Sequence, residues 1–263
     1  MGEAPAPRLL LESFPMRKLL PLLAAAVLAA PIAARAIEPN DYVHVPLVEY
    51  GEREIDFKYG TVKPKDDGGR EAMGSVGFGY GVTQWWFAEA YLKYDKGPGD
   101  RTRYDAVELE SIFQLTQPNQ YWADVGLLVE FEAPRARAEG YEWEFGPLFQ
   151  KDIGKLRVNA NLLFEKIVSA RDDASHRMEM GYQLQARYPI ARDTDIGIQA
   201  LGELGQWNDW SPQREQDHRV GPAIFQKVRL GGRQVINWNA AWLHGVSSAA
   251  PKDQLRVQAE LEF

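Results

Sequence analysis

Alternation constrains this chain more than any other property. From about residue 48 onward, apolar and polar residues alternate in runs of roughly ten to thirteen, and each run ends in a break. The last stretch, "DQLRVQAELEF", shows the pattern plainly: Leu255, Val257, Ala259, Leu261 and Phe263 are apolar, with Arg256, Gln258, Glu260 and Glu262 between them. Successive side chains of a strand point to opposite faces, so each run is a strand with one apolar and one polar face. The breaks also alternate. Long polar ones ("TVKPKDDGGRE", "KGPGDRTR", "APRARAEG", "SARDDASH", "WNDWSPQREQDH", "GVSSAAPKD") take turns with tight ones ("GVTQ", "TQPNQ", "KDIGK", "PIARDTD", "LGGRQ").

Long, short, long, short is the punctuation of an up-and-down meander whose two ends face different surroundings. The runs predict about twelve strands, at 49–60, 72–82, 85–95, 104–115, 121–132, 141–151, 155–167, 177–188, 195–206, 219–229, 234–245 and 254–263. Strands of soluble sheets average about 5–6 residues, whereas a tilted membrane-crossing strand needs about 9–11. Length therefore favours an all-β, transmembrane, antiparallel up-and-down β-barrel, which combines short turns at one end with longer loops at the other.

One face carries Phe57, Tyr59, Phe78, Leu92, Leu109, Leu162 and Ile198; the other carries Asp56, Lys58, Glu89, Lys93, Asn159, Gln185 and Gln199. Alternation does not say which face points inward. A soluble barrel turns the apolar face in, and a membrane barrel turns it out. Aromatic placement favours the second. Trp85, Trp86, Tyr121 and Trp122 lie beside tight turns, and Tyr94, Tyr141, Trp143, Trp207 and Trp210 beside long loops, as in the two interfacial girdles of a membrane barrel. In the tenth strand, Pro222 and the out-of-phase Phe225 predict a β-bulge near Pro222. Gly77, Gly79 and Gly81 share the polar face opposite Phe87 and Tyr91, a glycine–aromatic packing device.

The N-terminal region has a different character. "MRKLLPLLAAAVLAAPIAARA" opens with Arg17 and Lys18, continues through an apolar run from Leu19 to Ile32, and ends with small residues at Ala34 and Ala36. Residues 1–36 thus predict a secretory signal peptide cleaved after Ala36. Residues 1–15 do not fit such a signal, and Met16 is expected to be the true initiator. Residues 37–47, with Pro39 and Pro46, are expected to be an extended periplasmic segment across the barrel mouth, with the barrel itself at 48–263. The chain has no cysteine, which excludes disulfides and thiolate metal sites. A net charge of −7 without basic clusters argues against a nucleic-acid partner.

The terminal Phe263, backed by Leu261, Ala259, Val257 and Leu255, resembles the C-terminal strand of Gram-negative outer-membrane β-barrel proteins. That resemblance implies location in the outer membrane, contact with its lipid, and recognition of Phe263 and Leu261 by the barrel-assembly machinery. Twelve-stranded members include nucleoside and sialic-acid channels, autotransporter pores and a phospholipase, and the pattern singles out none of them.

The polar face carries the site expectations. Glu108, Glu110, Glu130, Glu132, Glu142 and Glu144, joined by Glu165, Glu179 and Glu203, fall in the outer halves of their strands; Arg157, Arg187 and Arg229 fall nearer the other end. An acidic mouth concentrates cations and rejects anions. The expectation is a narrow passive channel for small solutes with cation preference. Alternatively, the carboxylates pair with Lys58, Lys93, Arg177, Arg135 and Arg137 and close the lumen, giving a structural barrel. An enzyme is the weaker reading: His244 with Ser247 for a lipase, or His176 and His218 beside Asp172, Asp173 and Asp217 for a protease at the rim. No cofactor is expected, and no ligand cluster in the sequence reaches metal-site quality.

Overall fold

The structure is a computed structural model describing residues 37–65, 68–171 and 177–263. The predicted signal peptide, His176, Asp172 and Asp173 lie outside the described residues. Twelve strands form the barrel: β1 (Arg53–Lys63), β2 (Glu71–Gly81), β3 (Trp86–Lys96), β4 (Arg103–Gln114), β5 (Asp124–Pro134), β6 (Tyr141–Ile153), β7 (Leu156–Val168), β8 (Met178–Ala191), β9 (Thr194–Gln206), β10 (Asp217–Gly231), β11 (Gln234–Gly245) and β12 (Asp253–Glu262). The pair Asp209–Trp210 only extends β9 beyond the ring. Among the described residues there is no helix.

Each strand pairs antiparallel with its sequence neighbours, and β12 pairs with β1 from Glu54↔Glu262 to Lys63↔Asp253. The Phe263 backbone N–H donates to the Arg53 carbonyl at 2.9 Å. The C-terminal run is therefore the closing strand, and the sheet has no free edge.

Burial settles which face points inward. Phe57, Tyr59, Phe78, Leu109, Ile198 and Val257 are exposed on the outer surface, while Asp56, Lys58, Lys93, Glu110, Asn159, Gln199, Gln254 and Arg256 are buried inside. A polar interior and an apolar exterior invert the arrangement of a water-soluble barrel. β1 begins about four residues later than the sequence suggested, at Arg53, because the chain makes a turn at residues 50–51.

The expected bulge at Pro222 is absent. Rungs from β10 to β9 run in unbroken register from Asp217↔Glu203 to Gln226↔Thr194. On the other side, Val220↔His244 and Ala223↔Ala241 share one register, with rungs missing only at Gly221 and Pro222. Pro222 has no N–H to give, so the ladder skips without slipping. The register shift of β10 lies at Arg229/Gly231 instead. Phe225 does lie on the face opposite Val220 and Ile224, but without a bulge: it points inward, 9% exposed, into an apolar cluster.

The polar interior is interrupted by two apolar patches. Leu201, Ala223, Phe225, Ala241 and Leu243 on β9–β11 form one, and Phe87, Ile112, Leu128, Leu148 and Leu163 on β3–β7 form the other.

Candidate functional site: an acidic lumen threaded by the N-terminal segment

The expectation that residues 37–47 lie across the short-turn mouth is corrected by the structure. Leaving the start of β1, the segment runs back up inside the barrel into the long-loop half. An extended chain has no internal partners for its amides and carbonyls, so the wall must supply them. Val48 N–H donates to Gln114 Oε1 at 2.8 Å and His44 N–H to Gln183 Oε1 at 3.1 Å; Asn161 Nδ2 donates to the His44 carbonyl at 3.0 Å, and Gln254 Nε2 to the Pro39 carbonyl at 2.9 Å. The inward-facing amide side chains of the strands act as substitute backbone for the segment.

Its apolar residues meet the two patches: Ile37 and Val43 pack in the β9–β11 cluster, and Val48 packs on the β3–β7 cluster. Glycines make room for it. A Cβ added at Gly60 would stand 1.7 Å from the Pro39 carbonyl oxygen, and one at Gly81 would stand 1.9 Å from the Glu49 carbonyl oxygen. Gly77 and Gly79 serve the expected role, since a Cβ there would lie 2.4 Å from the rings of Tyr91 and Phe87 respectively. A Gly60→Ala substitution is expected to unseat the segment at Pro39 while leaving the β1 ladder intact. Overpacking of this kind costs about 1–3 kcal/mol, or about 5- to 150-fold in the ratio of seated to unseated chains; protease cleavage within residues 37–47 should rise accordingly.

Around the segment, negative charge is in large excess. Strand register places Glu89, Glu110, Glu130, Glu144, Glu165 and Glu179 opposite one another across β3–β8, one per strand. A second rung joins Glu108, Glu132 and Glu142. Two buried lysines counter them. Lys93 lies 2.6 Å from Glu38, 3.0 Å from Glu108 and 2.5 Å from Glu132. Lys58 lies 3.7 Å from Asp56 and 3.8 Å from Glu110, between the rings of Tyr42 and Tyr91 at 3.8 and 3.7 Å. Tyr42 donates to Glu110 at 3.0 Å and Tyr91 to Asp56 at 2.9 Å. Nine carboxylates (Glu38, Asp41, Glu108, Glu130, Glu132, Glu142, Glu144, Glu165 and Glu203) line a cavity of about 80 Å³ beside the segment, together with Lys58 and Lys93.

Asp41 belongs to the segment rather than to a strand. Burial, and then the charge of Glu38, push its carboxyl up from 3.8 to about 7. An acid whose pKa is higher when seated than in water favours the seated state at low pH. That contribution is complete below pH 4, weakens by up to about tenfold per pH unit as the pH rises towards 7, and is gone above it. Raising the pH from 5 to 7 is thus expected to loosen the segment, and Asp41→Asn to flatten that dependence, read by hydrogen exchange of residues 37–48.

Towards the short-turn end the lumen widens to a vestibule of about 540 Å³. Arg157, Arg187 and Arg229 line it, as the sequence suggested, but each meets an aspartate: Asp152 at 2.7 Å, Asp195 at 3.6 Å and Asp193 at 2.9 Å. Arg135 and Arg137 are exposed in their loop.

No family model matches this chain, and no curated protein matches it. Solved structures do. The crystal structure of an outer membrane channel from Pseudomonas putida F1 aligns over 87% of this chain and 100% of its own, at 14% identity and a TM-score of 0.58. The translocator domain of autotransporter NalP from Neisseria meningitidis aligns over 82% and 88%, at 12% identity and TM-score 0.51. The NanC porin aligns over 80% and 98%, at 13% identity and TM-score 0.50. This chain has the fold of the outer-membrane β-barrels.

Among the described residues of the rim, His244 and Ser247 are not hydrogen-bonded to each other through their side chains. His244 is exposed and its Nδ1 lies 3.3 Å from Asp253. Ser247 Oγ accepts the His218 backbone N–H at 2.9 Å. The His218 ring is held by Tyr182 OH at 3.0 Å and Gln216 Oε1 at 2.8 Å. Sequence reasoning found the glutamates and lysines of the lumen. It missed the inward leucines and the segment that covers them; Leu128, Leu148, Leu201 and Leu243, at most 2% exposed, sit in polar-phase positions and were the available signal.

Proposed function

We propose that this chain is an outer-membrane channel for small solutes, cation-preferring, whose lumen is held shut by its own N-terminal segment. The exposed apolar exterior supports insertion in outer-membrane lipid, and export by the signal peptide, with cleavage after Ala36, fits that destination. Assembly is proposed to use Phe263 and Leu261 as the signal read by the barrel-assembly machinery. The short turns then face the periplasm and the long loops the exterior. The likeness to an outer membrane channel and to a porin is consistent with passive transport.

The observation that carries the cation preference is the rung of six glutamates, one from each of β3–β8. Aligned carboxylates in a low-dielectric pore raise the local concentration of cations and repel anions. The paired vestibule arginines add little opposing field. The test is the reversal potential across a KCl gradient in planar bilayers, measured on pores with the segment displaced. Potassium should be favoured over chloride by about tenfold, as expected for steering by a single-sign cleft. Glu110→Gln with Glu130→Gln should lower that ratio severalfold. Anion preference, or no conductance in any state, would overturn the proposal.

A further inference from the structure

His44 is the one histidine among the described residues that is buried, 4% exposed, and its ring is poorly satisfied in the lumen. Its Nδ1 has no hydrogen-bond partner. Nδ1 stands 3.7 Å from Glu110 Oε1, and Nε2 stands 3.7 Å from Glu130 Oε1. Both gaps exceed the 2.7–3.2 Å of an N–H···O hydrogen bond. One ring nitrogen and one oxygen of each carboxylate nevertheless lie within 4.8 Å of one another. We propose that His44, Glu110 and Glu130 form a binding site for a divalent transition-metal cation of the zinc class, which bridges the N-terminal segment to β4 and β5.

The donor set suits such an ion. One imidazole and two carboxylates are ordinary zinc ligands at about 2.0–2.2 Å, so the three groups need to close by only about 1 Å around it. Glu110 is already oriented for this role. Tyr42 OH holds its Oε2 at 3.0 Å, which leaves Oε1 turned to the ring. Lys58, 3.8 Å away, is on the same Oε2 side. Outer partners that fix a ligating carboxylate or imidazole raise metal affinity, and Asn161 fixes the His44 backbone by donating to its carbonyl at 3.0 Å. The adjoining 80 Å³ cavity, which both His44 and Glu130 line, has room for water to complete the coordination shell. The site does not depend on whether the barrel conducts.

Isothermal titration of zinc into the purified, metal-stripped protein in detergent tests this. One ion per chain is expected, with affinity at least about 100-fold lower in His44→Ala and in Glu130→Gln. No stoichiometric binding by the unsubstituted protein would overturn the proposal, as would equal binding by His44→Ala. Should both variants fail to fold, copper(II) in the unsubstituted protein keeps the question open to test: its electron paramagnetic resonance should show coupling to one imidazole nitrogen, and a spectrum with oxygen ligands only would overturn the proposal.

Discussion

Deleting residues 37–48 is expected to raise single-channel conductance by about tenfold or more, because a twelve-stranded barrel lies between the filled eight-stranded and the water-filled sixteen-stranded cases. The segment is what fills the middle of this lumen. Its backbone is tied to Gln114, Gln183, Asn161 and Gln254, and its Ile37, Val43 and Val48 occupy the inward apolar patches. None of the barrel rungs uses it: β1 begins at Arg53, and β12 closes on β1 without help from residues 37–48. The deletion variant should therefore still fold, judged by heat-modifiable mobility on gels, with some loss of stability from uncovering Leu128, Leu148, Leu201 and Leu243. Bilayer recordings supply the decision. Equal conductance from the full chain and the folded deletion variant would mean that the segment does not block the path.

The strand count, the closing role of β12 and the split into two faces were legible because a membrane-length strand imposes a period of two over many residues, and no local accident imitates that. Alternation alone did not give the direction of the faces, since a barrel and its inverse share it; strand length and the two aromatic girdles pointed to the apolar face being outside. Exposure agrees: the adjacent residues Phe57 and Asp56 lie outside and inside respectively. The segment's path was hidden for a different reason. Its partners are far apart in sequence: His44 meets Asn161 and Gln183, and Pro39 meets Gly60 and Gln254. Only the closed ring brings those positions around one axis. Pro222 misled because a missing N–H interrupts a ladder whether or not the register slips, and sequence shows only the missing donor. The glutamate wall was readable strand by strand, but the rung that aligns six of them needed the register.

Lys93→Met is expected to open the barrel nearly as fully as the deletion, by a separate route. Lys93 is 4% exposed and within 3.0 Å of Glu38, Glu108 and Glu132. Glu108 and Glu132 stand opposite each other on β4 and β5 and cannot separate without breaking the ladder. Glu38 is on the segment and can leave. Removing one partner of a buried charge group costs about 3–5 kcal/mol, and here the cheapest relief is expulsion of the mobile carboxylate. Seating should weaken by roughly 100-fold or more, at about 1.4 kcal/mol per tenfold. The strain should show as raised conductance and as faster proteolysis of residues 37–47, while the outer face and the strand ladder stay unchanged. Adding Glu38→Gln to Lys93→Met removes one of the repelling charges and should restore much of the block. If Lys93→Met lowered the unfolding temperature of the barrel yet left the segment seated and the conductance low, Lys93 would be a fastening of the wall alone, with no part in holding the segment.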